Sequence, residues 1–418
     1  MILPSNAKTS EEYTSNMPKI TAIETVIPAA IMPNLILLRI HTDDGFIGCG
    51  ETYYTPHAIE GLIHDWMAER LCGAEATDIE SHWRFLYERC SAFGAPGAEM
   101  RALSAIDVAL WDILGQLCGQ PVWRLLGGAT QGSVPIYNTC GGPGYGTTKG
   151  MASSAAHPGW PGYGDEGQPG KLQDNWASIH AAGDLAEELV AAGIAGMKVW
   201  PFDRYAHRGN GLYISPAEIE EGMRPLRVGH KIEIMIEGHA FFQLPAALRL
   251  AEALQEIRPL WLEDILRVDH VGTLADFRRH CGLPIAATEM LLGRGAYLSL
   301  LEAGAADYLM VDPTWTGGIS ETRRIVELAQ TYNVPATMHD CTGPLTLFAG
   351  LHCAAASANV VFQETVRAHI GTFYERLIDR QPHIENGRLH LPSDPGLGTS
   401  LLPDLFQTGQ NRYRRTTR

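Results

Sequence analysis

Several features that mark common functional classes are missing from this sequence. There is no CxxC pair: the eight cysteines, Cys49, Cys72, Cys90, Cys118, Cys140, Cys281, Cys341 and Cys353, stand singly. They read as buried free thiols of a reducing, cytoplasmic protein. Positive charge is scarce, with 32 Lys and Arg against 47 Asp and Glu and a net charge of −15. Nucleic acid and anionic membrane demand a basic surface, so neither is an expected partner. A small anionic substrate stays open, because a metal or a few local Lys and Arg reverse the field inside a cleft. No apolar run reaches the about 20 residues of a membrane helix. The first 16 residues are polar and carry neither half of a secretory signal. They are expected to be disordered, with the fold beginning at Met17-Pro18-Lys19-Ile20.

What is present has a clear rhythm. Residues 20–27 and 35–42 are rich in β-formers, and Asp43-Asp44-Gly45 is a hairpin signal before residues 46–51. Helical spacing follows over 56–70, 77–91 and 99–118. In the last, Leu103, Ile106, Leu110, Ile113, Leu114 and Leu117 form one stripe that Gly119 and Pro121 end. Residues 17–130 are therefore expected to form an α+β capping domain. From 131 to 380 strand and helix patterns alternate. Strand candidates are Ser133–Thr139, 196–200, Glu233–Glu237, 260–263, 285–289, 308–312, 336–339 and 360–364. Eight strands alternating with helices are the signature of a (β/α)8-type TIM barrel. Residues 141–175, rich in Gly, Pro and Ser, are too long for an ordinary connection and read as a functional loop or lid. A single helix is expected over 174–192. Residues 381–418 are expected to return to the capping domain, with 411–418 frayed.

The chemistry gathers around Glu233-Ile234-Met235-Ile236-Glu237-Gly238-His239. In a strand, residues two apart share a face, so Glu237 and His239 are expected to point into one cavity. Glu263 ends the next apolar run 26 residues on, and Glu289 another 26 residues beyond. That interval fits one strand plus one crossover helix. Adding Lys198, Asp312, His339 and Glu364, seven consecutive strand ends finish in an ionisable residue, in a chain only 19% charged. Any one alone would read as a solvated loop residue; the set reads as an active site at the C-terminal rim of a barrel. Three converging carboxylates repel unless a cation neutralises them. All-oxygen donors favour a hard ion, with Mg²⁺ first; His239 could ligate instead, but an octahedral oxygen site leaves it freer to act as an acid.

Over about residues 20–403 the chain resembles the enolase superfamily, in its mandelate racemase/muconate lactonising branch, and is similar to its acid-sugar dehydratases of the galactonate type. The resemblance rests on Gly196-Met197-Lys198-Val199, on Glu237, Glu263 and Glu289, on Asp312-Pro-Thr-Trp-Thr-Gly-Gly, on His339-Asp-Cys-Thr-Gly-Pro, and on Gln363-Glu364. It implies a barrel of the modified (β/α)7β form and a His339–Asp312 dyad. It also implies Mg²⁺ on Glu237, Glu263 and Glu289, with an enediolate stabilised by the metal, Lys198 and Glu364. His339 would take the proton from C2, and His239 would protonate the departing C3 hydroxyl. Many racemases of this branch carry a second lysine where this chain has Trp200, which cannot accept a proton from carbon. Dehydration of an aldonate or aldarate to a 2-keto-3-deoxy acid is therefore expected before epimerisation or cycloisomerisation. A Schiff-base aldolase using Lys198 and a non-catalytic binding barrel are more distant readings.

Weaker candidates remain. Gly141-Gly142-Pro143-Gly144-Tyr145-Gly146 lacks the Lys-Ser/Thr of a phosphate loop and reads as part of a lid. Tyr53, Trp200, His207 and Trp315 are candidate substrate-binding residues, each with a packing or solvated-loop reading beside it. A homo-oligomer acting on a small sugar acid completes the expectation.

Overall fold

The computed structural model describes residues 17–92, 97–146, 160–161, 164–165, 168–228, 232–407, 409 and 411–418. The proposed disorder of residues 1–16 and most of the long loop after residue 146 lie outside the described residues.

The N-terminal layer is an antiparallel sheet of strands Ile20–Ile27, Leu35–Thr42 and Ile47–Tyr53, turned at Gly45. Helix Ala98–Cys118 lies on it, burying Leu103, Ile106, Leu110 and Ile113, and ends at Gly119 in the left-handed conformation. The approach is close enough that a Cβ on Gly50 would meet the Ala105 carbonyl at 2.0 Å. A fourth strand, Arg412–Thr417, pairs antiparallel with Ile20–Ile27. This corrects the expected frayed end. Arg412, Arg414 and Arg415 are held by Glu60, Asp65 and Glu24, and charged side chains suit an edge strand. The preceding hairpin, Ile384–Glu385 with Arg388–His390, adds to the first barrel strand rather than to the capping layer.

Eight parallel strands form the second layer: Ser133–Thr139, Gly196–Val199, Glu233–Glu237, Trp261–Glu263, Ile285–Ala287, Tyr308–Val311, Ala336–Met338 and Val360–Thr365. The last pairs with the first, Glu364 opposite Tyr137, so the barrel is closed. Tyr137, Met235, Trp261, Ala286 and Met310 pack its interior, as a filled barrel requires. Several strands stop short of the expected end: Glu289, Asp312 and His339 lie just beyond the last paired residue. The helix expected over 174–192 is two, Asp174–His180 and Ala182–Ala191, broken at Ala181. No helix among the described residues is long and apolar enough to cross a membrane.

The capping layer is docked on the barrel by buried polar contacts. Asp107 accepts from the Ser320 amide and hydroxyl at 3.0 and 2.6 Å, and Glu51 from the Thr346 amide and hydroxyl at 2.6 and 2.8 Å. Gly318, at φ 81°, makes this approach feasible, since a Cβ there would fall 2.1 Å from Asp107 Oδ1. The Gly-Gly after the sixth strand is thus a docking point for the cap.

Candidate active site

Lys198, on the second barrel strand, is buried at the centre of the rim. Its Nζ lies 3.0 Å from Glu237 Oε2, 2.5 Å from Glu263 Oε1 and 2.9 Å from Glu364 Oε1. Burial works against its charge, but those three carboxylates outweigh burial and hold its pKa well above the ordinary lysine value. Glu364 is fixed by the Thr139 hydroxyl and by the Asp340 amide at 3.0 Å. Glu263 also accepts from the Trp261 indole at 2.9 Å. Burial, with the repulsion of Glu237, Glu364 and Glu289, pushes Glu263 up to about 8 despite Lys198.

Glu289 brings a further carboxylate, and its Oε2 is buried without a hydrogen-bond partner among the described residues. Asp264, at φ 41°, turns beside it: Oδ2 accepts from the Thr288 hydroxyl at 2.6 Å, while Oδ1 has no partner among the described residues. Burial, then the charge of Glu289, pushes Asp264 well above the carboxylate range. Sequence reasoning missed Asp264, although it directly follows Glu263.

Among the described residues, no three His, Cys, Asp or Glu side chains close on a common point as metal ligands do. Glu237 and Glu263 are instead turned onto Lys198. The donors nevertheless fit a hard divalent cation. They are oxygens, they exceed the local positive charge, and the unpartnered oxygens of Glu289 and Asp264 are atoms that such an ion satisfies.

Two histidines flank this cluster. His339 Nδ1 lies 2.8 Å from Asp312 Oδ2. Asp312 Oδ1 accepts from the Thr314 amide and hydroxyl, both at 2.8 Å. His339 Nε2 faces inward, 3.9 Å from Glu364 Oε2 and 4.0 Å from Glu289 Oε1. Burial disfavours its protonation, but Cys341, Glu364, Glu289 and Asp312 together raise its pKa well above the ordinary value. The Trp315 ring lies 5.0 Å from the imidazole, centroid to centroid, and its indole donates to Thr342 at 3.0 Å.

His239 does reach Glu237, Nε2 to Oε1 at 3.6 Å, but not by strand alternation. The strand ends at Glu237, and a turn with His239 at φ 43° swings the ring round. Its Nδ1 lies 2.6 Å from Asp203 Oδ2, a partner that the sequence reading missed. Asp203 opens the short helix Asp203–Arg208 after the second strand, and the motif Trp200-Pro201-Phe202-Asp203 has no period to betray it. Burial opposes protonation of His239, yet Glu237 and Asp203 bring its pKa to about 9. Burial lifts Asp203 to about 6, with His239 pulling the other way. Between those values the pair is an imidazolium–carboxylate.

Trp200 is buried, stacked on Tyr145 at 5.3 Å and edge-on to His239 at 5.6 Å, and its indole N–H has no partner among the described residues. The Tyr53 hydroxyl donates to the Gly146 carbonyl at 2.5 Å, and the neighbouring Tyr54 is the ring that meets Trp315, at 5.6 Å. His207 lies one turn beyond Asp203, partly buried, with burial lowering its pKa. Arg101, from the capping layer, also reaches Trp315. Nothing local in its sequence signalled that.

Comparison with known proteins agrees with this geometry. Residues 5–127 match the mandelate racemase/muconate lactonizing enzyme N-terminal domain, and residues 181–405 match the enolase C-terminal domain-like family. The chain is 27% identical to a D-galactonate dehydratase of Ralstonia pickettii, across 92% of each chain. It is 28% identical to a D-mannonate dehydratase of Caulobacter vibrioides, across 91% of this chain and 92% of that protein. Among solved structures, an enolase protein from Sargasso Sea environmental sequence superposes with a TM-score of 0.83 at 36% identity, covering 96% of this chain and all of that one. The chain belongs to the enolase superfamily, with an N-terminal domain of the mandelate racemase/muconate lactonizing enzyme type.

Proposed function

We propose that this protein is a Mg²⁺-dependent dehydratase of sugar acids, removing the C2 proton and the C3 hydroxyl to give a 2-keto-3-deoxy acid. One observation carries the reading. His239 follows the third barrel strand and His339 the seventh, so in a closed ring of eight they face each other across the mouth, each on its own aspartate. Elimination of water needs that pair: a base at C2 and an acid at the departing hydroxyl. The dehydratase names of the relatives from Ralstonia and Caulobacter support the same chemistry.

Glu237, Glu263 and Glu289 would hold the metal. Bound there, Mg²⁺ supplies charge stabilisation for the substrate carboxylate and makes the adjacent C–H more acidic. His339, once it has given up the proton that Glu364, Glu289 and Asp312 favour, accepts the C2 proton at Nε2 with Nδ1 fixed by Asp312. Lys198 directs an ammonium at the carboxylate oxygens as negative charge grows there, and Glu364, held by Thr139 and Asp340, keeps Lys198 in register. His239, protonated below about 9, gives its Nε2 proton to the C3 hydroxyl, which leaves as water. The resulting enol tautomerises to the 2-keto-3-deoxy acid. Trp200 offers its unpartnered N–H to a substrate oxygen beside His239.

The opposed histidines also suit C2 epimerisation, if His239 returned the proton to carbon from the other face. A screen of acid sugars with Mg²⁺, and again with EDTA, separates the two. The account expects metal-dependent 2-keto-3-deoxy product. Deuterium uptake into recovered or epimerised substrate, with no water lost from any acid, would sink it.

A further inference from the structure

Arg101 stands in the first turn of helix Ala98–Cys118, on the capping layer, and reaches the barrel mouth. Its NH1 donates to the Tyr53 carbonyl at 3.1 Å, and its guanidinium carbon lies 3.8 Å from the Trp315 ring centre and 5.5 Å from that of Tyr54. The other face of this arrangement is catalytic, since Trp315 packs on His339. The guanidinium also lies in the field of Asp312 and Glu289. Yet among the described residues no carboxylate forms an ion pair with it. Some partly buried arginines elsewhere are neutralised, Arg367 by Asp174 and Glu188, Arg278 by Asp307 and Arg324 by Glu80 and Glu321, whereas Arg39 and Arg388 rest on backbone carbonyl or hydroxyl oxygens away from the barrel mouth. A guanidinium carries five N–H donors in a planar fork that matches a carboxylate, and a single carbonyl accounts for one of them.

We propose that Arg101 binds a second carboxylate of the substrate, so that the protein selects sugar diacids (aldarates) over the corresponding monoacids. The proposal rests on the dehydratase reading and names its substrate class. One carboxylate lies among Lys198 and the rim glutamates, with C2 against His339. The carbon chain then runs along the Trp315 indole, and its far end meets the Arg101 fork. A monoacid ends there in a neutral hydroxymethyl group, which leaves the guanidinium without a directly bonded carboxylate in a site that holds it partly out of water. A purely structural Arg101 would act differently. By propping Trp315 it would help His339 equally with every acid.

The test pairs a hexarate with the hexonate of the same configuration. Turnover is measured with the Mg²⁺-loaded protein, and binding by calorimetry on Mg²⁺-loaded His339→Asn, which holds substrate without consuming it. Wild type is expected to prefer the diacid in both assays. Arg101→Met should cut the diacid-to-monoacid ratio of kcat/KM by about ten- to a hundredfold, mostly through KM, the range of a charge-assisted hydrogen-bond pair. Arg101→Lys, which keeps the charge and loses the fork, should fall between the two. Equal losses on both acids, or a ratio that does not move, overturn the proposal while leaving dehydration intact. Arg101-dependent diacid binding without any turnover upholds the anchor and overturns dehydration instead. Thermal melts of both variants identify a loss that comes from misfolding, and in that case the ratio read on Arg101→Lys decides.

Discussion

The two Asp–His pairs at the barrel mouth share a motif but differ in setting. His339 is only 3% exposed, and its aspartate ends the neighbouring strand, tied by Thr314 and flanked by Trp315. His239 is 13% exposed, sits in a turn, and leans on an aspartate from a short helix, with Asp203 Oδ1 left without a partner among the described residues. The difference matches two tasks. A base that removes a proton from carbon must be held rigidly. An acid that donates to a leaving hydroxyl must be re-protonated from solvent each turnover. Rigidity marks the first pair, access the second.

Substitutions can break that contrast, and the largest effect should come from the buried pair. His339→Asn should lower both turnover and C2–H exchange by about ten thousandfold, the upper range for a lost general base. Both are read by NMR in D₂O. Lys198→Met should cost about a hundred- to a thousandfold in kcat, as expected for a charge stabiliser aimed at the developing anion. Asp203→Asn should be milder, about tenfold at neutral pH, and should leave a pH signature. His239 titrates near 9, above its ordinary value, so the protonated acid is lost as pH rises through about 9. Removing the Asp203 charge lowers that pKa, and the alkaline limb of kcat should move to lower pH. The linked stability has the same sign: it is fully present below the ordinary histidine pKa of about 6.5 and is lost as pH rises through about 9. If Asp203→Asn leaves the limb in place, Asp203 does not govern the acid. Smallest of all, Trp200→Phe should cost about a few-fold in KM and little in Tm, because its N–H has no partner to lose among the described residues.

The residues of the buried pair were legible as strand ends, but their pairing came only from the resemblance to the enolase superfamily. Asp312 and His339 close consecutive apolar runs, and the near-equal spacing of Glu237, Glu263 and Glu289 follows from one strand and one helix per step. Periodicity records that kind of placement. Asp203 sits on a six-residue helix inside a connection, where no repeat fixes it, and Asp264 is displaced by a left-handed residue just past a strand. Arg101 reads as an ordinary polar residue opening a helix, and only the docking of the capping layer brings it to Trp315. The terminal strand Arg412–Thr417 was hidden by its charge, which pairs with glutamates and an aspartate far away in sequence. Residues whose partners lie in another layer leave no local trace.

The division of labour between the two histidines has one direct measurement. His239→Asn, loaded with Mg²⁺, is incubated with a turned-over acid sugar in D₂O, and water loss and C2 deuterium incorporation are followed together. The account predicts that dehydration disappears while exchange at C2 continues, because His339 and Asp312 are intact. Loss of both, with metal binding preserved, would contradict it.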